Sequence, residues 1–373
     1  GEFPKDNSIY VADKVVCDNN AVGVWNDLTW DLNVSHITKR TKCNVYFKTS
    51  KITDRIIESV DNTGKCPSVN SDGTVNVTKV ESTDGYVCSA PDAYGTSYYF
   101  RGNVTNNYVK FGGFYWRILR INGDGTIRLV YDGTSAHSNN EASSDRIIGD
   151  SKFNSSANDN AYVGYMYGST GASSYDATHA NINDSTIKKF VDNWYTSNLS
   201  QYSTYLADNI FCNDRKISTY TDGSHGTSGY GTKGTYYRWA RGPWDGSSYG
   251  NMTVSFTCPQ QHDAFTVSDT SKGNGALTYP IGLLSGDDIT LAGGWNSANN
   301  GYYLYTGNKY WTASAGSCTI GITGNRLISE DGSTPNFGIN SNSASVKPVI
   351  NIKADSLIAG LGLKEKPYVL SVD

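Results

Sequence analysis

Residues 114–133 read FYWRILRINGDGTIRLVYDG. Phe114 to Ile121 is largely apolar on both alternating faces, and a strand of that kind has to run through the centre of its sheet. Asn122-Gly123-Asp124-Gly125 has the residues of a hairpin turn, and Thr126 to Tyr131 returns as a second strand. The chain must therefore build a sheet around this hairpin. Its 373 residues can bury a real core without relying on staples. At about 100–200 residues per domain, they fit two or three domains.

Upstream, residues 8–50 alternate in short bursts such as Val22-Gly23-Val24-Trp25 and Cys43-Asn44-Val45-Tyr46-Phe47. Short strands with polar turns predict a small β-sandwich-like module over residues 1–60. Ile52, Ile56 and Ile57 suit a short amphipathic helix at its exit. Residues 61–97 are turn-rich and read as a linker. Residues 134–182 show little periodicity, which predicts either a functional excursion or several short turns. Asp184 or Ser185 caps a helix with Ile187, Phe190, Val191 and Trp194 on one face. A second helix is expected to follow, with Tyr202, Leu206 and Ile210 together. Ser285-Gly286-Asp287-Asp288 opens a short helix, its acids suiting the capping box and the dipole. Residues 320–328 read as a hairpin and 346–352 as a closing strand, which Pro348 places at an edge or bulge.

Seven cysteines are present. Read locally, six pair as Cys17–Cys43, Cys66–Cys88 and Cys212–Cys258, leaving Cys318. Six cysteines allow about 15 pairings, so spacing alone leaves the connectivity open. Reduced, buried thiols are the alternative. Charged residues are 18% of the chain, against roughly 25% in an average domain. Ser, Thr, Asn, Gly and Tyr fill the gap, a palette of extracellular β proteins and recognition loops. Seven Asn-X-Ser/Thr sequons begin at Asn33, Asn76, Asn103, Asn154, Asn183, Asn198 and Asn251. A net charge of −4 points to no nucleic-acid partner, and no stretch approaches the ~18 apolar residues of a membrane span. Gly1-Glu2-Phe3-Pro4 reads as an expression scar, so a targeting segment or anchor elsewhere is left open.

From about residue 98 the order of features resembles a domain family of gut Firmicutes surface proteins. That family is distantly similar to the C-type lectin-like fold of formylglycine-generating enzymes. The resemblance rests on Tyr108-Val109-Lys110-Phe111 with Tyr115-Trp116-Arg117-Ile118-Leu119, and on the capped helix at 185–194. It continues through Ile281-Gly282-Leu283-Leu284-Ser285, Tyr310-Trp311-Thr312-Ala313-Ser314 and Val346-Lys347-Pro348-Val349-Ile350-Asn351-Ile352. Relatives carry Arg-Pro where this chain has Lys347-Pro348. The implied fold class is α+β: a C-type lectin-like domain over 98–373, with small mixed sheets, two helices and long loops. An immunoglobulin-like module would precede it. The fold supports sugar binding, protein binding and, in one branch, oxidation, so it does not fix function.

Three readings follow. The first is a secreted or cell-surface bacterial protein binding a protein or glycan on another cell or host surface. Its anchors would be Tyr236, Tyr237, Trp239, Arg241 and Trp244, with Trp295, Asn296, Asn299, Asn300, Tyr302 and Tyr303 in an Asn-rich loop. The competing expectation for these aromatics is ordinary core packing. Residues 295–345 also have the Asn, Ser, Tyr, Asp and Gly content of retroelement-diversified receptors. The second reading is an enzyme on the same fold. Formylglycine-generating enzymes hold copper with a C-terminal cysteine pair, and here only Cys318 stands in that region. His36, His137, His179, His225 and His262 show no zinc spacing, and His262-Asp263 lacks a nucleophile elbow. The third reading is a structural spacer of a surface assembly. No cofactor is expected; calcium at Asp-rich loops such as 122–125 is left open, without the later ligands of an EF-hand.

Overall fold

The structure, a computed structural model, describes residues 3–5, 10–61, 63–81, 83–240, 253–333 and 336–370. Its architecture is one of small mixed sheets with few helices. Phe114–Ile121 lies inside a nine-stranded sheet, as its two apolar faces require. Ile127–Gly133 flanks it on one side, and Tyr108–Phe111 and Thr96–Gly102 share the other. Every residue of Ile127–Gly133 is buried. Asn122 takes the turn through backbone bonds with Thr126 and Gly125.

Helix Thr186–Asn198 covers the hairpin. Ser185 caps it, accepting from the Lys188 N–H, so the cap falls one residue after Asp184. Trp194 reaches from the helix to Phe114, Trp116 and Tyr131, with ring centroids 5.4, 6.3 and 5.6 Å away. Aromatic packing of this kind adds about 0.5–1.5 kcal/mol per pair beyond the area it buries. Ser285 and Asp288 form the expected reciprocal capping box at helix Gly286–Leu291.

Several expectations change. The predicted second helix is a 3-10 turn at Ser200–Tyr205, after which the chain runs extended. Ala207 N–H donates to the carbonyl of Asn351, so the closing strand takes the backbone that a helix would have used. That closing strand, Pro348–Ile352, is not at an edge. It lies between Ile281–Leu283 and Ile127–Gly133. Pro348 is tolerated because it is the first residue of the strand. Residues 85–97, expected to belong to a linker, supply strands Gly85–Pro91 and Thr96–Gly102 to the large sheet. Residues 134–182 resolve into short pieces, including Asp150–Lys152, Met166–Tyr167 and the helix Tyr175–Thr178.

A six-stranded sheet is built on Tyr310–Thr319 and Ile322–Ile328. The cysteines form Cys17–Cys43, Cys66–Cys88 and Cys212–Cys258, and Cys318 is a buried free thiol. The N-terminal strands pair as Tyr10–Cys17 with Cys43–Thr49 and Val22–Asn26 with Asp31–Ser35. That makes four strands among the described residues, where a full immunoglobulin sandwich has about seven. Their core is small: Trp25 packs edge-on against Phe3, Trp30 and Phe47. The exit helix Ile52–Glu58 instead buries Ile52 and Ile56 in the main core.

A module with so few core residues depends on its cross-link. Closing the 26-residue separation of Cys17–Cys43 is worth about 3–4 kcal/mol on loop entropy. Cys17→Ser with Cys43→Ser should lower a separate N-terminal calorimetric transition and leave the main transition in place. One transition moving as a whole would contradict this.

Candidate functional site: an amide-lined cleft

An open cleft of about 560 Å³ lies where three loops of the large sheet meet the loop that enters strand Tyr310–Thr319. Asn103 and Thr105 form one wall, and Ser138, Asn139 and Asn140 the second. Asn300 and Gly301 form the third, and Leu363, Lys364 and Glu365 the fourth. Tyr108 lies at the base. Asn140 and Asn300 are exposed, so their amides face solvent. Asn139 is buried and donates to Asn103 Oδ1 at 2.6 Å and to the Val104 carbonyl at 2.8 Å. Its own Oδ1 has no hydrogen-bond partner.

The walls are held from below by a buried charge node. Asp132 is fully buried and accepts from Arg146 at 2.9 and 2.7 Å. Lys347 Nζ lies 3.3 Å from the same oxygen. Arg117 faces the other oxygen at 3.7 Å, an ion pair without a hydrogen bond. Burial alone would raise the Asp132 carboxyl, but Arg146, Lys347 and Arg117 hold it below the ordinary range. The cations also reach outward. Arg146 donates to the carbonyls of Ser138 and Glu141, and Arg117 to Asn107 Oδ1 and the Val104 carbonyl. The Tyr108 ring lies 3.8 Å from the Arg117 guanidinium, and its hydroxyl donates to the His137 carbonyl. Two cleft walls are thus tied to one carboxylate.

His137 fixes the second wall further. Its Nδ1 lies 2.8 Å from Glu141 and its Nε2 2.7 Å from Asp145. Glu141 also accepts from the Ser138 N–H, and Lys364 contacts both Ser138 Oγ and Glu141. Ser135 Oγ stands 3.2 Å from His137 Nε2, so Ser135, His137 and Glu141 form a nucleophile–base–acid line. Asp145, however, takes the nitrogen that would have to accept the serine proton, at the shorter distance. Burial alone would raise the Asp145 carboxyl, yet hydrogen bonds from Ser143, His137 and Thr134 hold it far below its usual range. With a carboxylate on each ring nitrogen, His137 is placed to clamp the loop rather than to take a proton from Ser135.

The aromatic anchors read from the sequence fall elsewhere. Tyr237, Trp239, Tyr302 and Tyr303 are at most 1% exposed and belong to the core, which corrects the expectation that they face a ligand. Three of the four polar tips are committed inside. Tyr237 donates to Asn160, Trp239 to Asp287, and Tyr303 to the Phe100 carbonyl. Tyr236 is half-buried and stacks on His225, with centroids 3.8 Å apart. Arg241 and Trp244 lie outside the described residues. Trp295 is half-buried and Asn296 exposed, while Asn299 is buried and accepts from the Gly301 N–H. Of the residues expected to bind in that loop, Asn300 alone lines the cleft. Asn139 and Asn140 sit in the stretch without periodicity, the one sequence signal that marked this wall.

Cys258, the cysteine that precedes Cys318 in the chain, is bonded to Cys212 and leaves Cys318 without a thiol partner for copper. The Cys318 thiol is fully buried in the strand Tyr310–Thr319, and burial raises it to about 11. No group of three or more His, Cys, Asp or Glu among the described residues is placed to hold a metal ion. At 122–125, Asp124 accepts from Thr126 with one oxygen and from Asn209 with the other. Compared with protein-family models, curated proteins and solved structures, the chain matches none.

The node makes stability depend on pH. Burial pushes the Lys347 ammonium down to about 7, against the pull of Asp132. In the unfolded chain a lysine titrates near 10.4. Between about pH 7 and 10 the unfolded state therefore holds a proton that the folded state lacks, and stability rises with pH. Below about pH 7 both states are protonated and this contribution is gone. Urea melts of the wild type and Lys347→Met should diverge in the wild type's favour from about pH 7 to 10. Curves that stay parallel would remove the shifted lysine from the account.

Proposed function

We propose that this is an extracellular recognition protein whose C-terminal domain, C-type lectin-like in fold, binds a glycan in the amide-lined cleft. The observation that carries the reading is the lining itself. Asn103, Asn139, Asn140 and Asn300 bring primary amides to one open cavity. Asn140 and Asn300 each offer a donor and an acceptor, the complement of a sugar hydroxyl, and Asn139 adds an unpartnered Oδ1. Lys364 and Glu365 add one group of each charge at the rim. A protein ligand is the weaker match, because protein hot spots are built on exposed aromatic and Arg anchors. Here four of the aromatic candidates are core residues. Three disulfides fit an oxidising, extracellular setting. No helix among the described residues is long and apolar enough to cross a membrane.

The walls come preformed. Arg146, Arg117 and His137 fix the loop backbones before any ligand arrives, which lowers the ordering cost of binding. The chemistry asked of the site is hydrogen bonding without bond cleavage. Catalysis on the Ser135 line would require Asp145 to release His137 Nε2.

The test is a glycan array on protein made without N-glycosylation, since Asn103 begins a sequon. Hits should be followed by calorimetric titration of Asn140→Ala with Asn300→Ala. Two lost hydrogen bonds at about 1 kcal/mol each predict roughly 30-fold weaker binding. Both side chains are exposed, so the melting temperature should not move. An array without hits would overturn the proposal in favour of a spacer, and hits untouched by the double variant would move the site elsewhere.

A further inference from the structure

We infer that the junction between the N-terminal module and the C-terminal segment is a second ligand site, taking a small monocarboxylate that also carries hydrogen-bond donors. This inference does not rest on the glycan cleft. A cavity of about 250 Å³ opens between the strands at 10–17 and 43–49, helix Ile52–Glu58 and residues 360–366. That is slightly below the 300–1,000 Å³ typical of drug-sized pockets and suits a smaller molecule.

Arg55 is the first observation. Its Nε is buried and has no hydrogen-bond partner, and the side chain forms no ion pair among the described residues. A buried donor left unmade is expensive, by about 1–3 kcal/mol and more for a charged group. The guanidinium fork matches the two oxygens of a carboxylate.

Trp30 is the second. It lines the same cavity with φ at +55°, a left-handed conformation that a bulky residue rarely adopts. Its ring is pinned from two sides. The indole N–H donates to the Pro4 carbonyl at 2.7 Å, and Lys366 Nζ lies 5.4 Å from the ring centroid. Lys366 is itself fixed by the Asp27 carbonyl at 2.7 Å. Trp30 and Tyr10 thus line the cavity beside the guanidinium.

The remaining lining selects the class. Of the two lysines on this cavity, Lys48 pairs with Asp13 at 3.7 Å and Lys366 is held by the Asp27 carbonyl, while Asp27 and Glu58 are exposed carboxylates. These carboxylates disfavour a doubly charged phosphate and accept from hydroxyl or ammonium donors. A single carboxylate on Arg55, donors on Asp27 and Glu58, and an apolar face beside Trp30 describe either an acidic sugar or a free amino acid.

Tryptophan fluorescence and calorimetry on the full chain separate the sources. The probes are glucuronate, phenylalanine, glucose and inorganic phosphate. One of the two carboxylates should bind, and glucose and phosphate should not. Arg55→Gln should weaken that binding at least about tenfold, the value of one charge-assisted hydrogen bond. Its melting temperature should not fall, because no native partner is lost. Arg55→Lys keeps the charge without the fork and should fall between the two. Asn140→Ala with Asn300→Ala should bind like the wild type, whatever becomes of the glycan cleft. Failure of both carboxylates at millimolar concentration would overturn the inference, as would phosphate binding as tightly or Arg55→Gln binding unchanged.

Discussion

Asp132 lies fully buried with Arg146, Lys347 and Arg117 around it. Taking such charges out of water costs several kcal/mol per ion, and only good geometry with further hydrogen bonds offsets it. The further bonds here go to loop backbone: Ser138 and Glu141 from Arg146, Val104 from Arg117. Removing the carboxylate would strand the guanidinium groups of Arg146 and Arg117 in a dry core. The node therefore does more than join strands. It sets where the 103–108 turn and the 138–141 loop can stand, and so the shape of the cleft between them.

The same device recurs. Asp288 meets Arg120 and Arg128, linking the capping box of Gly286–Leu291 to the central hairpin. Arg238 lies between Asp214 and Asp287, and Arg215 pairs with Asp263 at 2.6 Å. Long irregular segments leave many backbone groups that no sheet or helix satisfies. Buried asparagines serve them too. Asn213 accepts from the Tyr165 N–H and donates to the carbonyls of Val163 and Ala313. Asn340 and Asn325 close a similar link with Tyr162 and Val163. Much of the Asn content that looks like recognition chemistry in the sequence is internal scaffolding.

That explains what could be read in advance. The central hairpin, the Ser185 cap, the Ser285 capping box and the three local cysteine pairs each carry their signal within a few tens of residues. The aromatic anchors do not. Tyr302 and Tyr303 follow Asn and Gly as surface residues would, yet tertiary packing draws both fully inside. Trp239 lies in a Gly-rich run and still ends beneath Gly286, whose Cβ would meet its ring at 2.6 Å. The cleft gathers residues from 103 to 365, so no local pattern announces it. Neither could the sequence show that Leu206 and Ala207 would give their backbone to Ile352 and Asn351.

The central claim is that one buried carboxylate sets both the fold and the cleft. Asp132→Asn tests it through amide hydrogen exchange read alongside a denaturant melt. The account predicts a loss of about 3–5 kcal/mol. It also predicts that protection at 138–141 and 104–107 falls before that of the helix Thr186–Asn198. Unchanged protection at those two loops, with stability near that of the wild type, would contradict it.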